Sequence, residues 1–229
     1  MPILEVCAYS PLAAATAIGA GADRVELCRA PNSDGLTPTS DDLESAADLL
    51  HYAPIHPIVR PRDSFEISAA DLDQMLAAIT EVRTLGYPGV VLGALSYGHI
   101  VEPDWQVLHV LMSACHGLEV TFHRAFDHVT QQAEGIGRLA DLGVRRILTS
   151  GKPGLAVEHL SCLSSLLTSA ANAGVGLMAG GGISSSNAHK LLAIGINEIH
   201  ASAGGSQGAQ DLFEVRNLAG QLARWPSGS

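Results

Sequence analysis

The sequence repeats one local pattern, in which a helical stretch ends at a glycine and a short spacer leads into an aliphatic run that finishes with small or polar residues. A glycine suits the left-handed backbone position just past a helix end, and a β-branched run suits a strand that is buried on both faces. Four stretches show the pattern: "GAGADRVELC", "LGYPGVVLGA", "LGVRRILTSG" and "IGINEIHASA". Repeated joints of this kind predict alternating helices and strands, and therefore a parallel sheet.

Along its whole length, the chain alternates predicted strands with predicted helices. The strands are predicted near residues 3–7, 23–28, 55–60, 89–93, 119–123, 145–149, 175–179 and 197–201. The helices are predicted near residues 11–19, 41–51, 69–85, 104–116, 131–142, 156–173, 185–194 and 211–224. Eight such units in 229 residues favour a closed α/β barrel, the (β/α)8 TIM barrel, over an open doubly wound sheet. We therefore predict a single TIM-barrel domain over residues 1–229, with a frayed tail at 225–229.

Charge and the N-terminal sequence narrow the possible partners. The formal net charge is −10 and no Lys/Arg-rich run occurs, which excludes the basic patch of a nucleic-acid binder. The start "MPILEVCAYS" does not resemble a signal peptide, and no apolar run approaches the ~18 residues of a membrane span. The four cysteines form no Cys-x-x-Cys pair, which indicates reduced thiols. We expect a cytoplasmic protein that has neither nucleic acid nor a membrane as partner.

Two predicted strands carry the same acid and thiol. Glu5 and Cys7 lie in "ILEVC", and Glu26 and Cys28 lie in "RVELC". The two-residue period of a strand places each acid and its thiol on one face, and adjacent strands lie ~4.8 Å apart, so the two thiols can approach each other at the barrel mouth. Two thiolates could hold one soft ion, and Cu(I) needs fewer ligands than zinc. The alternative is that both cysteines are ordinary core residues.

Glutamates, arginines and a histidine near the ends of several predicted strands form a second group of polar residues, which points to catalysis. Functional residues of TIM barrels lie at the carboxyl ends of the strands. A carboxylate in a buried strand needs a partner, and the two arginines of "VRPR" are available, so the group forms either a structural ion-pair layer or an active site. In the active-site interpretation, an acid/base group and an anion-binding guanidinium are both present. The catalytic residues would then be Glu5, Glu26, Arg60, His123 and Arg124.

Two glycine-containing loops follow the last two predicted strands, "AGGGIS" and "HASAGG". Backbone N–H groups in such loops can bind an anion, and many TIM barrels hold a phosphate there. The alternative is a tight turn without a ligand. The predicted anion-binding residues are Arg62, Gly180, Gly181, Gly182, Ser202 and Gly204.

Together, the segments "LEVCAYS", "GADRVELC", "GLTPT", "IVRPR", "VTFHRAFD", "RILTSG" and "MAGGGI" resemble the CutC copper-homeostasis family, in that family's order. The resemblance implies a cytoplasmic TIM barrel that is often oligomeric, here a dimer or tetramer. It also implies copper as the partner, because Cys7 and Cys28 match the positions proposed in the family as Cu(I) ligands. The alternative function is an enzyme that acts on a small anionic or phosphorylated metabolite through the charged residues at the mouth.

Overall fold

A computed structural model describes residues 1–203 and 211–226, and in these ranges eight parallel strands form a barrel. The strands are β1 (Ile3–Ala8), β2 (Arg24–Leu27), β3 (Ile55–Pro57), β4 (Gly89–Leu92), β7 (Glu119–Phe122), β8 (Arg146–Thr149), β9 (Gly176–Ala179) and β10 (Glu198–Ala201). Their order is β3-β2-β1-β10-β9-β8-β7-β4, and a parallel bridge between Ile58 and Val91 brings β3 next to β4. The TIM-barrel prediction is therefore confirmed.

The two faces of the strands bury different residues. The large apolar core lies between the strands and the helices, and it includes Leu4, Val6 and Ala8 from alternate positions of β1. A separate small cluster consists of Cys7, Cys28, Ile58 and Val91. Because side chains alternate across a strand, Glu5 and Cys7 lie on the face opposite to Leu4 and Val6, inside the barrel.

The helices pack around the barrel close to their predicted positions. The Ser68 hydroxyl accepts the Asp71 N–H and the Asp71 carboxylate accepts the Ser68 N–H, which forms a capping box at the start of the third helix. The sixth predicted helix starts later than expected, after a 3-10 turn at Ala156–Glu158. The helices are α1 (Pro11–Gly19), α2 (Ser40–Ala47), α3 (Ala69–Thr84), α4 (Trp105–Ala114), α5 (Gln132–Asp141), α6 (Leu160–Ala173), α7 (Ala188–Ala193) and α8 (Leu212–Ala223).

Helix α7 is shorter than predicted because side chains bind the backbone of its expected first turn. The Ser184 N–H donates to the Asn187 side chain over 2.9 Å. The Ser185 N–H donates to the Glu214 carboxylate of α8 over 2.5 Å. These bonds hold the residues before Ala188 in a turn, so the glycine loop after β9 does not run directly into a helix.

One hairpin was not predicted. Strands β5 (Leu95–Tyr97) and β6 (Val101–Pro103) pair antiparallel between β4 and α4, and each has only three residues, too few for a clear alternation of apolar and polar side chains. At the other end of the chain, Trp225 packs against the core, whereas residues 227–229 of the predicted frayed tail lie outside the described ranges. In the described ranges, no helix combines the length and the apolar character that a membrane crossing requires.

Candidate functional site at the mouth of the barrel

The structure brings the two cysteines of the repeated segments together. Cys7 on β1 and Cys28 just after β2 have their Sγ atoms 3.0 Å apart, and both residues are buried. The pairing of neighbouring strands causes this approach, since the Cys28 N–H donates to the Ala8 carbonyl over 2.9 Å. The hydrogen bond with Cys28, together with burial, raises the pKa of the Cys7 thiol, and burial raises the pKa of the Cys28 thiol. Both thiols therefore carry their protons at neutral pH.

A buried histidine lies beside the thiols and is held by a carboxylate. His200 on β10 makes a 2.7 Å hydrogen bond through Nδ1 to Oε1 of Glu5, which is completely buried. The other carboxylate oxygen of Glu5 accepts a hydrogen bond from Nε of Arg24. Burial raises the pKa of Glu5, but the hydrogen bond from His200 and the charge of Arg24 outweigh it and hold this pKa well below its usual range. Glu5 is therefore ionised and fixes the ring of His200.

The opposite ring nitrogen of His200 faces a group of potential metal ligands. His200 Nε2 lies 3.7 Å from the Glu26 carboxylate. One ligand atom each from Cys7, Glu26 and His200 lie within 4.8 Å of one another. With Cys28, the group offers two soft sulfur atoms, one imidazole nitrogen and one hard oxygen, a set compatible with a metal ion. Burial raises the pKa of Glu26, despite the opposing charge of His200.

Below this group, charged residues form an ion-pair layer across the barrel interior. Arg24 Nη2 donates to Glu198 over 2.7 Å, and Arg146 Nε donates to the same carboxylate over 2.9 Å. Arg146 also pairs with Glu119 at 3.2 Å. The proposed pairing of Glu5 with the arginines of "VRPR" was wrong, because the register of β1 and β2 places Arg24 directly opposite Glu5.

The two arginines of "VRPR" lie in different surroundings. Arg60 is buried, donates through Nη1 to the carbonyls of Ser33 (2.6 Å) and Gly35 (3.0 Å), and lines the mouth cavity. The side chain of Arg62 is 49% exposed and pairs instead with Asp71 at the start of α3, at 2.9 Å. The structure therefore does not bring Arg62 to the mouth.

His123, which follows β7, has one ring nitrogen without a partner. Its Nδ1 accepts the Ala125 N–H over 3.3 Å, which leaves the proton on Nε2. Nε2 is buried and has no hydrogen-bond partner among the described residues. Burial and then the charge of Arg60 lower the pKa of His123 to about 3, so the ring is neutral. A Cβ added at Gly93 would lie 2.5 Å from this ring, which shows how closely the backbone of Gly93 packs against it.

Arg124 connects the loops after β7 and β8. Its Nε donates to Asp127 over 3.0 Å, and its Nη2 donates to the Gly154 carbonyl over 3.1 Å. The Asp127 carboxylate also accepts the Thr149 hydroxyl at 2.6 Å and the Ser150 N–H at 2.8 Å. Asp127 is therefore fully used in fixing this part of the rim, while Arg124 keeps a third of its side chain exposed to the cavity.

The three glycines after β9 differ in their roles. The Gly180 N–H donates to the Thr149 carbonyl over 3.0 Å, so Gly180 continues the sheet. Gly182 has a φ of +68° and no room for a Cβ, which would lie 2.4 Å from Leu155. The amides of Gly181 and Gly182 have no partner among the described residues, and both glycines line the cavity. Of the second predicted loop, Ser202 lines the cavity, whereas Gly204 lies outside the described ranges.

A cavity of about 480 Å³ opens at the carboxyl ends of the strands and joins most of the predicted site residues. Glu5 and Cys28 lie in contact with residues of its wall rather than on the wall itself. The predicted site residues on the wall are Cys7, Glu26, Arg60, His123, Arg124, Gly181, Gly182 and Ser202.

Two histidines outside the predicted site residues lie inside the protein. His56 lies on β3 with 1% of its surface exposed. His200, which was not among the predicted site residues, is the histidine that contacts Glu5 and lies beside Cys7. The available signal was its place two residues after Glu198 in a predicted strand, which puts both on one face.

Known proteins share this sequence and architecture. A model of the CutC family matches residues 2–205. A family protein CutC from Enterobacter sp. (strain 638) is 43% identical over 206 residues, which cover 89% of this chain and 81% of that protein. A family protein CutC from Serratia proteamaculans (strain 568) is 44% identical over 203 residues, covering 88% of this chain and 78% of that protein. The crystal structure of a Streptococcus agalactiae CutC, described as a copper homeostasis protein, matches with a TM-score of 0.83 at 28% identity, covering 88% of this chain and 99% of that one.

Proposed function

Because the chain belongs to the CutC family, we propose that it is a copper-homeostasis protein of the cytoplasm that binds Cu(I) through Cys7 and Cys28 at the rim of the barrel. The observation that carries this proposal is the 3.0 Å separation of the two sulfur atoms. Thiolates are soft ligands that select Cu(I) over the hard cations of the cell. The description of the Streptococcus agalactiae relative as a copper homeostasis protein supports the same function.

The surroundings of the thiols suit the transient storage of a reactive ion. Cys7 lies on the cavity wall and Cys28 behind it, so an ion reaches the pair through the mouth of the barrel. Both thiols are protonated before binding, and metal ligation requires thiolates, so each bound ion displaces protons. Burial then shields the ion from water and from other ligands.

Competition with a chromophoric Cu(I) chelator tests this function. The wild-type protein is expected to withdraw about one Cu(I) per chain, and the double variant Cys7→Ser/Cys28→Ser is expected to withdraw none. Cys162→Ser is the matched control, since Cys162 lies in α6 and bonds to the Gly151 carbonyl at 3.4 Å. Unchanged Cu(I) affinity in the double variant would show that these thiols are not the site.

A second candidate function is an enzyme that acts on a small anionic or phosphorylated metabolite. The observation that favours it is the partnerless Nε2–H of His123, a neutral donor that can bind a substrate oxygen. Arg124 and the amides of Gly181 and Gly182 lie at the same cavity and suit an anionic group. Burial raises the pKa of Glu26 above its usual value, which favours an acid/base role for this carboxyl group. The proposed catalytic residues are Glu5, Glu26, Arg60, His123 and Arg124.

Thermal unfolding with added ligands tests this second function. Inorganic phosphate and a panel of phosphorylated sugars serve as probes, and a ligand at 100 times its Kd stabilises the folded state by about 2.7 kcal/mol. The Arg124→Met variant is expected to lose the resulting rise in Tm, whereas Arg138→Met, at a partly exposed ion pair with Glu102 on another part of the surface, is expected to keep it. The absence of any shift with the whole panel would argue against an anion site.

We also propose that the protein is a homo-oligomer, a dimer or tetramer. Large apolar side chains at the start of α1 and α8 support this proposal, since Leu12 is 78% exposed and Phe213 is 73% exposed. Light scattering coupled to size-exclusion chromatography gives the mass directly, and the mass of a single chain would contradict it.

A further inference from the structure

A histidine that is held by a buried carboxylate lies beside the cysteine pair, although a site made of two thiols alone would not need it. We propose that His200 is the third ligand of the metal, through Nε2, and that Glu5 is a positioning residue that fixes this ring. The inference rests on the proposed Cu(I) site, and it adds to that site a nitrogen ligand and the residues that orient it.

The first argument is the orientation of the ring. His200 Nδ1 is 2.7 Å from Oε1 of Glu5, so its proton is directed to that carboxylate. A histidine that binds a metal nearly always donates its other ring N–H to a carboxylate or carbonyl, which fixes the tautomer and makes the ligating nitrogen more basic. Glu5 has no exposed surface and is itself held by Arg24 from the neighbouring strand. Arg24, Glu5 and His200 thus form a chain of contacts that ends at Nε2. Burial lowers the pKa of His200, but the hydrogen bonds with Cys7 and Glu5 and the charge of Glu26 raise it well above its usual value, so a metal at Nε2 would displace a proton.

The second argument is where Nε2 lies. A ring nitrogen of His200, a carboxylate oxygen of Glu26 and Sγ of Cys7 lie within 4.8 Å of one another, and Cys28 Sγ is 3.0 Å from Cys7 Sγ. Metal–sulfur bonds of ~2.3 Å and metal–nitrogen bonds of ~2.0–2.1 Å bring Cys7 Sγ and the His200 nitrogen within reach of one ion. Cys28 would join them by a side-chain rotation from its place 3.0 Å from Cys7 Sγ. Imidazole is a good ligand for copper, whereas the hard carboxylate of Glu26 is a poor one. The geometry therefore gives two sulfur atoms and one nitrogen for Cu(I).

The third argument concerns the buried charges. A carboxylate and a guanidinium inside a barrel are costly unless they are paired and hydrogen-bonded. Arg24 and Glu198 pair within the ion-pair layer, whereas Glu5 also contacts His200, the residue beside Cys7. Glu5 therefore connects the ion-pair layer to the group of potential metal ligands.

X-ray absorption at the copper edge, combined with chelator competition, tests the inference on the full chain loaded with Cu(I). The wild-type spectrum is expected to show imidazole nitrogen together with sulfur, and this observation needs no variant. His200→Gln is expected to lose the imidazole signal and at least tenfold in Cu(I) affinity. Glu5→Gln is expected to keep the imidazole signal and lose about 10–100-fold in affinity, as removal of a residue that orients a ligand does. His109→Gln, at an exposed position of α4, is the control and is expected to change neither.

The outcomes separate this inference from the proposed function. If the cysteine double variant loses Cu(I) while the wild-type spectrum contains sulfur alone and His200→Gln binds as tightly as the wild type, the third ligand is wrong and the two-thiol site stands. If the cysteine double variant keeps its Cu(I), both fail. A spectrum with imidazole that persists in His200→Gln would assign the nitrogen to another histidine and overturn the role of His200.

Discussion

Arg24 gives the sharpest test of how the barrel interior is held together. It is 5% exposed and donates to Glu5 through Nε and to Glu198 through Nη2, at 2.7 Å for the latter. Hydrogen bonds to charged groups contribute about 1.5–3 kcal/mol each, so Arg24→Met removes about 3–6 kcal/mol. Glu5 keeps His200 and Glu198 keeps Arg146, which places the expected loss near the lower end, about 3 kcal/mol.

The assay is thermal and urea unfolding of the purified variant. A loss of about 3 kcal/mol corresponds to a fall in Tm of about 6–12 °C for a chain of this size. The control is Arg138→Met. The side chains of Arg138 and Glu102, which pair at 3.4 Å, are both partly exposed, so this variant is expected to lose about 1 kcal/mol of stability. Adding Glu5→Gln to Arg24→Met is expected to recover part of the stability, because it removes the carboxylate left with one partner. The reasoning is refuted if Arg24→Met is no less stable than Arg138→Met.

Three further variants probe other parts of the structure. Glu26→Gln is expected to weaken Zn(II) binding at least tenfold but to change Cu(I) affinity by less than about threefold, because a hard carboxylate suits zinc better than Cu(I); equal losses in parallel titrations of both ions would contradict this. Gly93→Ala is expected to cost about 1–3 kcal/mol by overpacking, since its Cβ would lie 2.5 Å from the His123 ring, and an unchanged urea midpoint would show that the ring moves freely. Ser68→Ala is expected to cost about 1 kcal/mol at pH 7 through loss of the helix cap. The Ser68 hydroxyl holds the pKa of Asp71 below its usual value, so this part of the stability is present above the unfolded pKa of about 4 and is lost as the pH falls through the folded pKa. The difference in Tm between wild type and Ser68→Ala should therefore shrink in acid, and a constant difference down to pH 2 would be inconsistent with it.

Local patterns were sufficient for the elements of the fold. The glycine joints and aliphatic runs located all eight barrel strands, because these features depend on residues that are neighbours in the chain. The β5–β6 hairpin was missed because a three-residue strand carries too little periodicity. The late start of α7 was missed because Glu214, from another helix, binds the backbone of Ser185 in the expected first turn.

The sequence by itself determined that Glu5 and Cys7 share one face of a strand, as do Glu26 and Cys28, since the two-residue period of a strand is a local property. Only the tertiary structure decided what these residues meet. Closure of the barrel places β10 beside β1, so His200 reaches Glu5 across 195 positions of the chain, and the register of β1 and β2 selects Arg24 as its ion-pair partner. Contacts of this kind depend on strand order and register, which no window of neighbouring residues contains. They bring the acids and thiols of the two strands together with His200 in one group of potential ligands.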